Sequence, residues 1–310
     1  MGLYRKVEKA HFMVVCKFLM QISEKAFGKI NISLNLTGEK ENNYHFLVSL
    51  ISFCNFYDII TVEESKKFDY EILNNINFGD SDLILKTIEI FYKKLDLGNL
   101  PNLKITLNKR IPVGAGLGGG SADSAALIRA LDKFLNLNLT MEKKISIAKD
   151  IGSDVPACLL SKPLILSGYG DRYEEIKNVD YKDIIIVFPN INASTKEVFS
   201  SINLDNIDKN ESIYFENRIK ESIIFYNNNN NLSNYFSNDL ERVSIKKYPE
   251  IKKVKESILE VGSIFASMTG SGSACFGFFE KKDILKAKHK LEALNRGWKI
   301  ISCQLMGSDN

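Results

Sequence analysis

Residues 112–126 read PVGAGLGGGSADSAA, and five of these fifteen residues are glycine. Glycine lets backbone N–H groups approach a ligand closely and reach positive φ angles. A helix that begins directly behind such a run turns its free N–H groups and the positive end of its dipole toward the same place. This combination suits an anion, above all a polyphosphate. Ser121 and Ser124 offer hydroxyl groups that can donate to phosphate or contact a metal ion.

Two common nucleotide motifs do not describe this run. The P-loop requires lysine after its last glycine, where this chain has Ser121. The letters GAGLGG fit G-x-G-x-x-G, but no βαβ nucleotide unit opens the chain and the expected acidic residue on a following strand is missing. A tight structural loop between a strand and a helix is the simpler alternative, and the run alone leaves it open.

Three single residues have types that suit catalysis, although each also has an ordinary structural interpretation. Lys29 and Asn31 share the polar face of an alternating segment, a face that usually meets solvent. Asp154 follows a glycine and serine and precedes Val-Pro, and its ordinary interpretation is a turn or cap residue. The residue types alone do not choose between these roles.

Two short turns are further candidates for binding. Tyr44 and His45 lie in a polar segment that we predict to be a turn. The sequence TGSGS at 269–273 lies between two apolar segments, and its ordinary interpretation is a β-turn.

The elements around the glycine run decide between a linker and a built site. Alternation and helical spacing predict strands over 26–36, 47–56, 58–64 and 103–112, and helices over 82–95, 124–137 and 141–152. The first strand is expected to be half-buried, with apolar side chains on one face only. Because the run connects a strand to a helix inside one domain, a built site is the better interpretation.

The second half of the chain also mixes strands and helices. The patterns predict strands over 162–176, 183–189 and 298–306, helices over 246–262 and 284–294, and strand-like runs within 263–280. The segment 200–235 is polar, and we predict an asparagine-rich loop over 226–236. This order indicates an α+β fold, with a domain boundary near 170–190.

Composition excludes several functional classes. The 310 residues include 41 basic and 38 acidic side chains and 45% apolar residues, so the chain has material for a core and no strong charge. We therefore expect no nucleic-acid partner. Five separated cysteines predict free thiols in a reducing cytosol. The apolar segment 12–22 is interrupted by Lys17 and is too short to span a bilayer, so we expect a cytoplasmic protein without a membrane partner.

The glycine run carries a family resemblance. It resembles the phosphate-binding motif of the GHMP kinases, which phosphorylate galactose, homoserine, mevalonate and phosphomevalonate. KINISL at 29–34 and MTGSGSACF at 268–276 resemble two further motifs of that family, in the same order. The resemblance begins near Ala26 and continues to the C-terminus.

This resemblance implies a two-domain α+β GHMP kinase fold. Residues 23–175 would form an N-terminal ATP-binding domain with a left-handed-type β-α-β unit. Residues 176–310 would form a ferredoxin-like α/β sandwich. Residues 1–22 lie outside the resemblance as an extension, with the first strand expected to begin near Phe27.

The resemblance also implies a catalytic pair and an ATP site. Lys29 and Asp154 match the family's active-site lysine and its proposed base. ATP and Mg²⁺ are the implied cofactors, with Ser121 as a candidate metal contact. The implied ATP-binding residues, with Lys109 near the adenine, are Lys109, Pro112, Gly114, Gly116, Leu117, Gly118, Gly119, Gly120 and Ser121. The family often has D-N-L where this chain has SDL at 81–83, which removes support for an adenine contact from Asp82.

Within the family, NNYHFL and IGSDVPAC resemble members whose acceptor is a cytidine diphosphate-linked methylerythritol, phosphorylated on its 2-hydroxyl. In those members the tyrosine stacks on cytosine, the histidine bonds the base edge, and a second aromatic ring, matched here by Phe199, covers the other face. The implied acceptor residues are Asn31, Tyr44, His45, Thr195, Phe199, Gly270, Ser271 and Gly272.

Two alternatives remain. The chain could be a homoserine-type or mevalonate-type kinase, although those acceptors have no base for His45 and Phe199 to hold. It could also be a non-catalytic binding protein of the same fold, although Lys29, Asp154 and the glycine run are all present. The protein is expected to act as a monomer or a homodimer on a small molecule.

Overall fold

The computed structural model describes residues 21–41, 44–74, 82–99, 102–203 and 211–308, except for the side chains of 39–41, 44, 211 and 212. Its strands are β1 (Gln21–Asn31), β2 (Asn35–Glu41), β3 (Tyr44–Glu64), β4 (Asp69–Ile72), β5 (Leu103–Asn108), β6 (Leu164–Ser167), β7 (Arg172–Glu175), β8 (Lys182–Phe188), β9 (Phe265–Met268), β10 (Cys275–Phe279) and β11 (Lys299–Leu305). Its helices are α1 (Leu83–Leu95), α2 (Gly119–Phe134), α3 (Met141–Ile151), α4 (Val155–Leu160), α5 (Thr195–Ser200), α6 (Glu211–Asn227), α7 (Leu232–Tyr235), α8 (Glu241–Lys247), α9 (Glu250–Glu260) and α10 (Ile284–Ala293).

The described strands join in one sheet. Its main path runs β4-β5-β3-β11-β8-β10-β9, with β1, β2 and β6 also paired to β3 and β7 paired to β6. The two predicted domains meet along β3 and β11, where Cys54 lies opposite Leu305. The predicted boundary at residue 175 therefore falls inside a continuous sheet, between β7 and β8.

Strand β3 is the longest element of the sheet. Two strands, 47–56 and 58–64, were expected there, but one strand of 21 residues runs from Tyr44 to Glu64. Different partners cover different parts of it: β2 and β6 pair with its first part, β1 with its middle and end, and β5 with its end. This continuous pairing explains why the strand does not break, and it also corrects the predicted turn at Tyr44 and His45, which begin the strand.

The first strand also differs from the prediction. It begins at Gln21, not near Phe27, because residues 21–27 pair with β3, and a register shift at Phe27 and Gly28 lets the pairing continue. The extension predicted for residues 1–22 thus lies outside the described residues up to position 20, and Gln21 and Ile22 are part of the sheet.

The alternating segment is buried on both faces, so the expectation of a half-buried strand was wrong. The apolar side chains Ile30 and Ile32 are fully buried, as expected. However, Lys29 and Asn31 are only 5% and 3% exposed, because other elements of the fold cover the polar face as well.

Helix α2 packs on β1 and β3 and buries the predicted apolar positions Leu127, Ile128 and Leu131. It begins at Gly119, five residues before the predicted start, because Gly118 adopts a left-handed conformation with φ 64° and directs the chain into the helix. The last two glycines of the run, Gly119 and Gly120, are therefore helical.

The C-terminal strands confirm the ferredoxin-like prediction. They follow the order β11-β8-β10-β9 with antiparallel pairing throughout, and helices connect β8 to β9 and β10 to β11. This is the split β-α-β arrangement. The helix predicted over 246–262 is two helices, α8 and α9, since Pro249 stands between them.

The asparagine-rich segment is not simply a loop. Helix α6 extends to Asn227 and α7 occupies Leu232–Tyr235. Ile219, Ile223 and Tyr226 of α6 are buried in a cluster to which strands of both halves contribute, and this burial stabilises a helix that the polar composition did not predict. No helix in the described ranges combines the length and apolar character needed to cross a membrane.

Candidate active site

A cleft of about 880 Å³ opens where the glycine loop (residues 112–118) meets β1, α5 and the 269–273 loop. The residues predicted from sequence that line it are Lys29, Asn31, His45, Lys109, Pro112, Gly114, Gly116, Leu117, Gly118, Gly119, Gly120, Ser121, Asp154, Thr195, Phe199, Gly270 and Ser271. The side chain of Tyr44 is outside the described part of the chain. Most of the predicted residues thus belong to one concave site.

The glycine loop needs its glycines for two separate reasons. Gly114, Gly116 and Gly118 have positive φ angles of 69°, 77° and 64°, which side chains disfavour. In addition, a Cβ atom on Gly116 would lie 2.3 Å from the carbonyl oxygen of Thr269. The loop therefore fits tightly against the 269–273 loop, and Gly116 permits that approach.

The start of α2 is open to the cleft. Within the described part of the chain no side chain caps this end, and the N-cap residue is Gly118. Gly119, Gly120 and Ser121 line the cleft from the first turn of the helix. Free N–H groups and the helix dipole make this end suitable for a phosphate group.

Lys29 and Asp154 meet in the cleft, and the Lys29 Nζ to Asp154 Oδ2 distance is 2.9 Å. The side chain of Lys29 is 7% exposed and that of Asp154 is 35% exposed, so the carboxylate is accessible from the cleft. The Lys29 backbone N–H donates to the Leu117 carbonyl at 2.8 Å, which attaches β1 to the glycine loop. This pair offers a carboxylate that can accept a proton, in the same cleft as the open start of α2.

Asn31 is held by both halves of the molecule. Its Oδ1 atom accepts from Lys29 Nζ at 3.3 Å and its Nδ2 group donates to Ser49 Oγ at 2.9 Å. Its backbone N–H donates to Thr269 Oγ1 at 3.0 Å. These bonds fix the orientation of the amide and position Lys29 through it.

A buried ion cluster, Asp58–Lys109–Asp123, lies beneath the glycine loop. Lys109 Nζ contacts Asp58 Oδ2 and lies 2.7 Å from Asp123 Oδ2. Asp58 also accepts from the backbone N–H groups of Arg110 and Ile111, so it fixes the turn that leads into the loop. Sequence analysis missed both carboxylates, although Asp58 interrupts an apolar strand and Asp123 lies in the glycine motif.

The ion cluster shifts the titration of its members. Burial raises the pKa of the Asp123 carboxyl well above its ordinary value; Lys109 opposes this rise and Asp58 adds to it. Burial tends to lower the pKa of the Lys109 ammonium, but the charges of Asp123 and Asp58 prevail and raise that pKa. The predicted adenine contact of Lys109 stays a prediction, because the structure engages its ammonium with these two carboxylates.

The far end of the cleft contains an aromatic pair. The rings of His45 and Phe199 have centroids 5.4 Å apart and are tilted by 38°. Next to Phe199 on α5, Thr195 Oγ1 lies 2.8 Å from Ser271 Oγ, and either hydroxyl can be the donor. This end of the cleft therefore presents flat rings and hydroxyl groups to a ligand.

Two predicted residues have structural positions. Gly272 does not line the cleft, and a Cβ atom on it would lie 2.7 Å from the Met268 sulfur, so the residue allows close packing. Asp82 accepts from the Ile84 backbone N–H at 2.8 Å and is the N-cap of α1, consistent with the departure at 81–83.

Some cleft residues were not found from the sequence. Ser153, Tyr169, Gly170 and Lys196 all line the cleft. Only two of them had a neighbour that could have indicated the site: Ser153 precedes Asp154 and Lys196 follows Thr195. Among the described residues, no group of three or more His, Cys, Asp or Glu side chains could hold a metal ion.

Curated proteins similar to this chain act as kinases. A 4-diphosphocytidyl-2-C-methyl-D-erythritol kinase of Caldanaerobacter subterraneus subsp. tengcongensis is 34% identical over 277 residues, which cover 89% of this chain and 94% of that protein. A protein of the same name from Clostridium perfringens is 33% identical over 278 residues, covering 89% and 94%.

Solved structures share the fold. A crystal structure of a 4-(cytidine 5'-diphospho)-2C-methyl-D-erythritol kinase, 25% identical, matches with a TM-score of 0.76 and covers 92% of this chain and 100% of that one. The Methanococcus jannaschii mevalonate kinase, 16% identical, matches with a TM-score of 0.69 over 94% and 100% of the two chains, which shows the fold alone.

Two family descriptions match the two halves of the chain. That of the GHMP kinases N terminal domain covers residues 82–162, which include the glycine loop and Asp154. The description named GHMP kinases C terminal matches residues 224–297, which include the 269–273 loop. With the relatives above covering nearly all of the described chain, the protein belongs to the GHMP kinase family.

Proposed function

We propose that the protein transfers the γ-phosphoryl group of ATP to the 2-hydroxyl of 4-diphosphocytidyl-2-C-methyl-D-erythritol, in the non-mevalonate route to isoprenoid precursors. One observation carries the proposal. A single cleft contains an open helix start for phosphate, the Lys29–Asp154 pair, and a tilted ring pair, His45 and Phe199, suited to a base. The names and extent of the curated relatives support the same acceptor.

In the proposed reaction the acceptor oxygen attacks the γ-phosphorus, and the bond from that phosphorus to the β–γ bridging oxygen breaks as ADP leaves. The hydroxyl proton passes to Asp154, whose exposed carboxylate faces the cleft. Lys29 stabilises the charges on Asp154 and on the acceptor oxygen. Phosphoryl transfer has a loose transition state, so positioning and charge stabilisation supply most of the rate.

The glycine loop and the start of α2 are proposed to hold the ATP phosphates through backbone N–H groups. Mg²⁺ would neutralise phosphate charge when bound. Ser121 is the proposed protein contact of the metal, since its hydroxyl lies in the first turn of α2 at the cleft.

His45 and Phe199 are proposed to recognise cytosine, with His45 bonding the base edge and Phe199 covering one face. Tyr44 remains the predicted ring for the other face. Thr195, Ser271 and Gly270 would contact the part of the acceptor that follows the base, because they line the same cleft and Thr195 lies on α5 with Phe199.

Other acceptors fit the site less well. Homoserine and mevalonate kinases share the fold, but their acceptors have no base for His45 and Phe199. A non-catalytic binding protein would have no need for an accessible carboxylate paired to a buried lysine beside the phosphate loop.

A coupled assay of ADP release with four acceptors tests the proposal: the cytidylyl compound, mevalonate, homoserine and galactose. We expect turnover with the cytidylyl compound alone. His45→Ala should raise the KM for this acceptor by about tenfold to a hundredfold, since the base edge loses a buried hydrogen bond, and it should leave the KM for ATP unchanged.

His289→Ala is the matched control, because His289 is exposed on α10 and does not line the cleft. Preferred turnover of mevalonate or homoserine, or an unchanged acceptor KM in His45→Ala, would contradict the proposed acceptor.

A further inference from the structure

The positive charges of the cleft differ in how far they are already engaged. Among the described residues, three lysines line the cleft: Lys29, Lys109 and Lys196. Lys29 is paired with Asp154, and Lys109 is enclosed between Asp58 and Asp123. Both ammonium groups thus have partners that neutralise them before any ligand arrives.

Lys196 is exposed and, within the described ranges, no carboxylate lies within ion-pair distance of it. The adjacent Glu197 does not serve as its partner, because that carboxylate pairs with Lys247 on α8. Lys196 is therefore the cleft lysine whose charge is available to a ligand.

The position of Lys196 is set by a short, well-anchored helix. Ser194 caps α5 by accepting from the Glu197 backbone N–H, and Val198 is fully buried in the C-terminal core. Residues three apart lie on neighbouring positions of a helix surface, so Lys196 and Phe199 are on one side of α5. Phe199 in turn packs against His45. The Lys196 ammonium is thus carried next to the ring pair.

This placement matches the chemistry of a nucleoside diphosphate. In such a ligand the negative diphosphate follows the base and ribose and precedes the acceptor alcohol. With the base edge at His45, a base face against Phe199 and the alcohol at Asp154, the diphosphate falls between these groups, in the cleft that Lys196 also lines. The start of α2 is reserved for the donor phosphates in the proposed reaction.

We infer that Lys196 binds the diphosphate of the acceptor and thereby selects acceptors that carry a nucleoside diphosphate. The inference rests on the proposed function. It adds an acceptor-binding residue that neither the motifs nor the family resemblance supplied. An ammonium on a flexible, exposed stem forms a charge-assisted bond that salt partly screens.

Calorimetric titration with cytidine diphosphate and with cytidine tests the inference, using Lys196→Gln and the full-length protein. At low salt, Lys196→Gln should bind cytidine diphosphate about fivefold to tenfold more weakly, with unchanged affinity for cytidine. Lys196→Arg should restore most of the loss, and added salt should reduce the difference between wild type and Lys196→Gln.

Lys252→Gln is the matched control, since Lys252 is an exposed helical lysine on α9 that pairs with Glu256 away from the cleft. In turnover assays Lys196→Gln should raise the acceptor KM and leave kcat and the KM for ATP unchanged. Thermal unfolding of all variants should coincide.

Three results would overturn the inference. Equal affinity of wild type and Lys196→Gln for cytidine diphosphate would remove Lys196 from the acceptor site and leave the proposed function intact. An equal loss of ATP affinity would place the lysine at the donor instead. Failure of the wild type to bind either cytidine compound would reject the proposed acceptor, and the inference with it.

Discussion

Lys29 and Lys109 both lie beside the glycine loop, near Gly118 and Gly119, and show how one charge type serves two purposes. Lys29 faces one carboxylate, Asp154, at 2.9 Å, and 35% of the Asp154 side chain is exposed in the cleft. Lys109 faces two carboxylates, and the three side chains of that ion cluster are exposed by 3% or less. The loop is thus supported by a cluster of almost completely buried charges, of which Lys109 also borders the cleft.

The difference lies in whether a charge can change partner. Asp154 can exchange its contact with Lys29 for one with a substrate hydroxyl, because solvent and ligands reach it. Asp58 and Asp123 cannot, and removal of Lys109 would leave buried charge without its paired ammonium group, which is costly. Open pairs therefore suit proton transfer, and enclosed clusters suit the positioning of a loop.

The largest expected effect concerns the open pair. Asp154→Asn should lower kcat by about 10² to 10⁴-fold, because it removes the proposed proton acceptor. Its melting temperature should stay close to wild type, since a partly exposed pair contributes about 1 kcal/mol or less. Steady-state kinetics measures the change in kcat, and thermal unfolding measures the change in melting temperature.

Asp150→Asn is the control for this experiment, because Asp150 is 50% exposed on α3 and pairs with Lys94 at the surface. Near-normal turnover in a folded Asp154→Asn protein would contradict a role of the Lys29–Asp154 pair in proton transfer, and with it the contrast with the buried ion cluster.

In the buried ion cluster, a substitution should affect the free energy of unfolding more than turnover. Lys109→Met leaves Asp58 and Asp123 buried without their cation and should destabilise the fold by about 3–5 kcal/mol in urea unfolding. Lys104→Met on β5 is the control, since that lysine is 30% exposed and pairs with Glu71 at the surface. A loss no larger than in the control would mean that the cluster does not support the loop.

Gly119→Ala probes the contact between the cluster and the helix start. The new Cβ atom would lie 2.8 Å from Lys109 Nζ, which cannot swing away because two carboxylates hold it. We expect Gly119→Ala to lower the free energy of unfolding by about 1–3 kcal/mol. We also expect it to weaken the binding of ATP more than the binding of the acceptor.

Gly120→Ala is matched to it, because a Cβ atom there meets only Leu83 at an ordinary 3.6 Å. This variant should keep or gain stability, since alanine favours a helix. Equal stability of the two variants would show that Lys109 yields to the added methyl group.

The smallest effect is the pH dependence of stability. Burial raises the pKa of the Asp123 carboxyl in the folded protein. The stability that this raised pKa contributes is therefore complete below about pH 4, the pKa of an unfolded aspartate, and it is lost as the pH rises through the pKa of the folded state. Urea unfolding between about pH 5 and about pH 8 should show a shallower decline for Asp123→Asn than for wild type. Parallel slopes would indicate that Asp123 is ionised in both states.

Prediction from sequence worked best where a pattern is local. The spacing of Leu127, Ile128 and Leu131 predicted the buried face of α2, and the alternation near Ile30 predicted β1. The predictions were wrong where packing against distant elements changes the burial of a segment. The polar face of β1 is covered by the fold, and α6 is stabilised by burial of Tyr226 that its polar composition did not indicate.

The sequence by itself determined the glycine loop, its place between a strand and a helix, and the residue types of the proposed catalytic pair. Only the tertiary structure decided which charges meet. Asp58 and Asp123 join Lys109 because β3 and α2 pack around the end of β5, and Phe199 reaches His45 because α5 lies over the start of β3. Contacts of this kind depend on the packing of elements that are distant in sequence, and no local pattern specifies them.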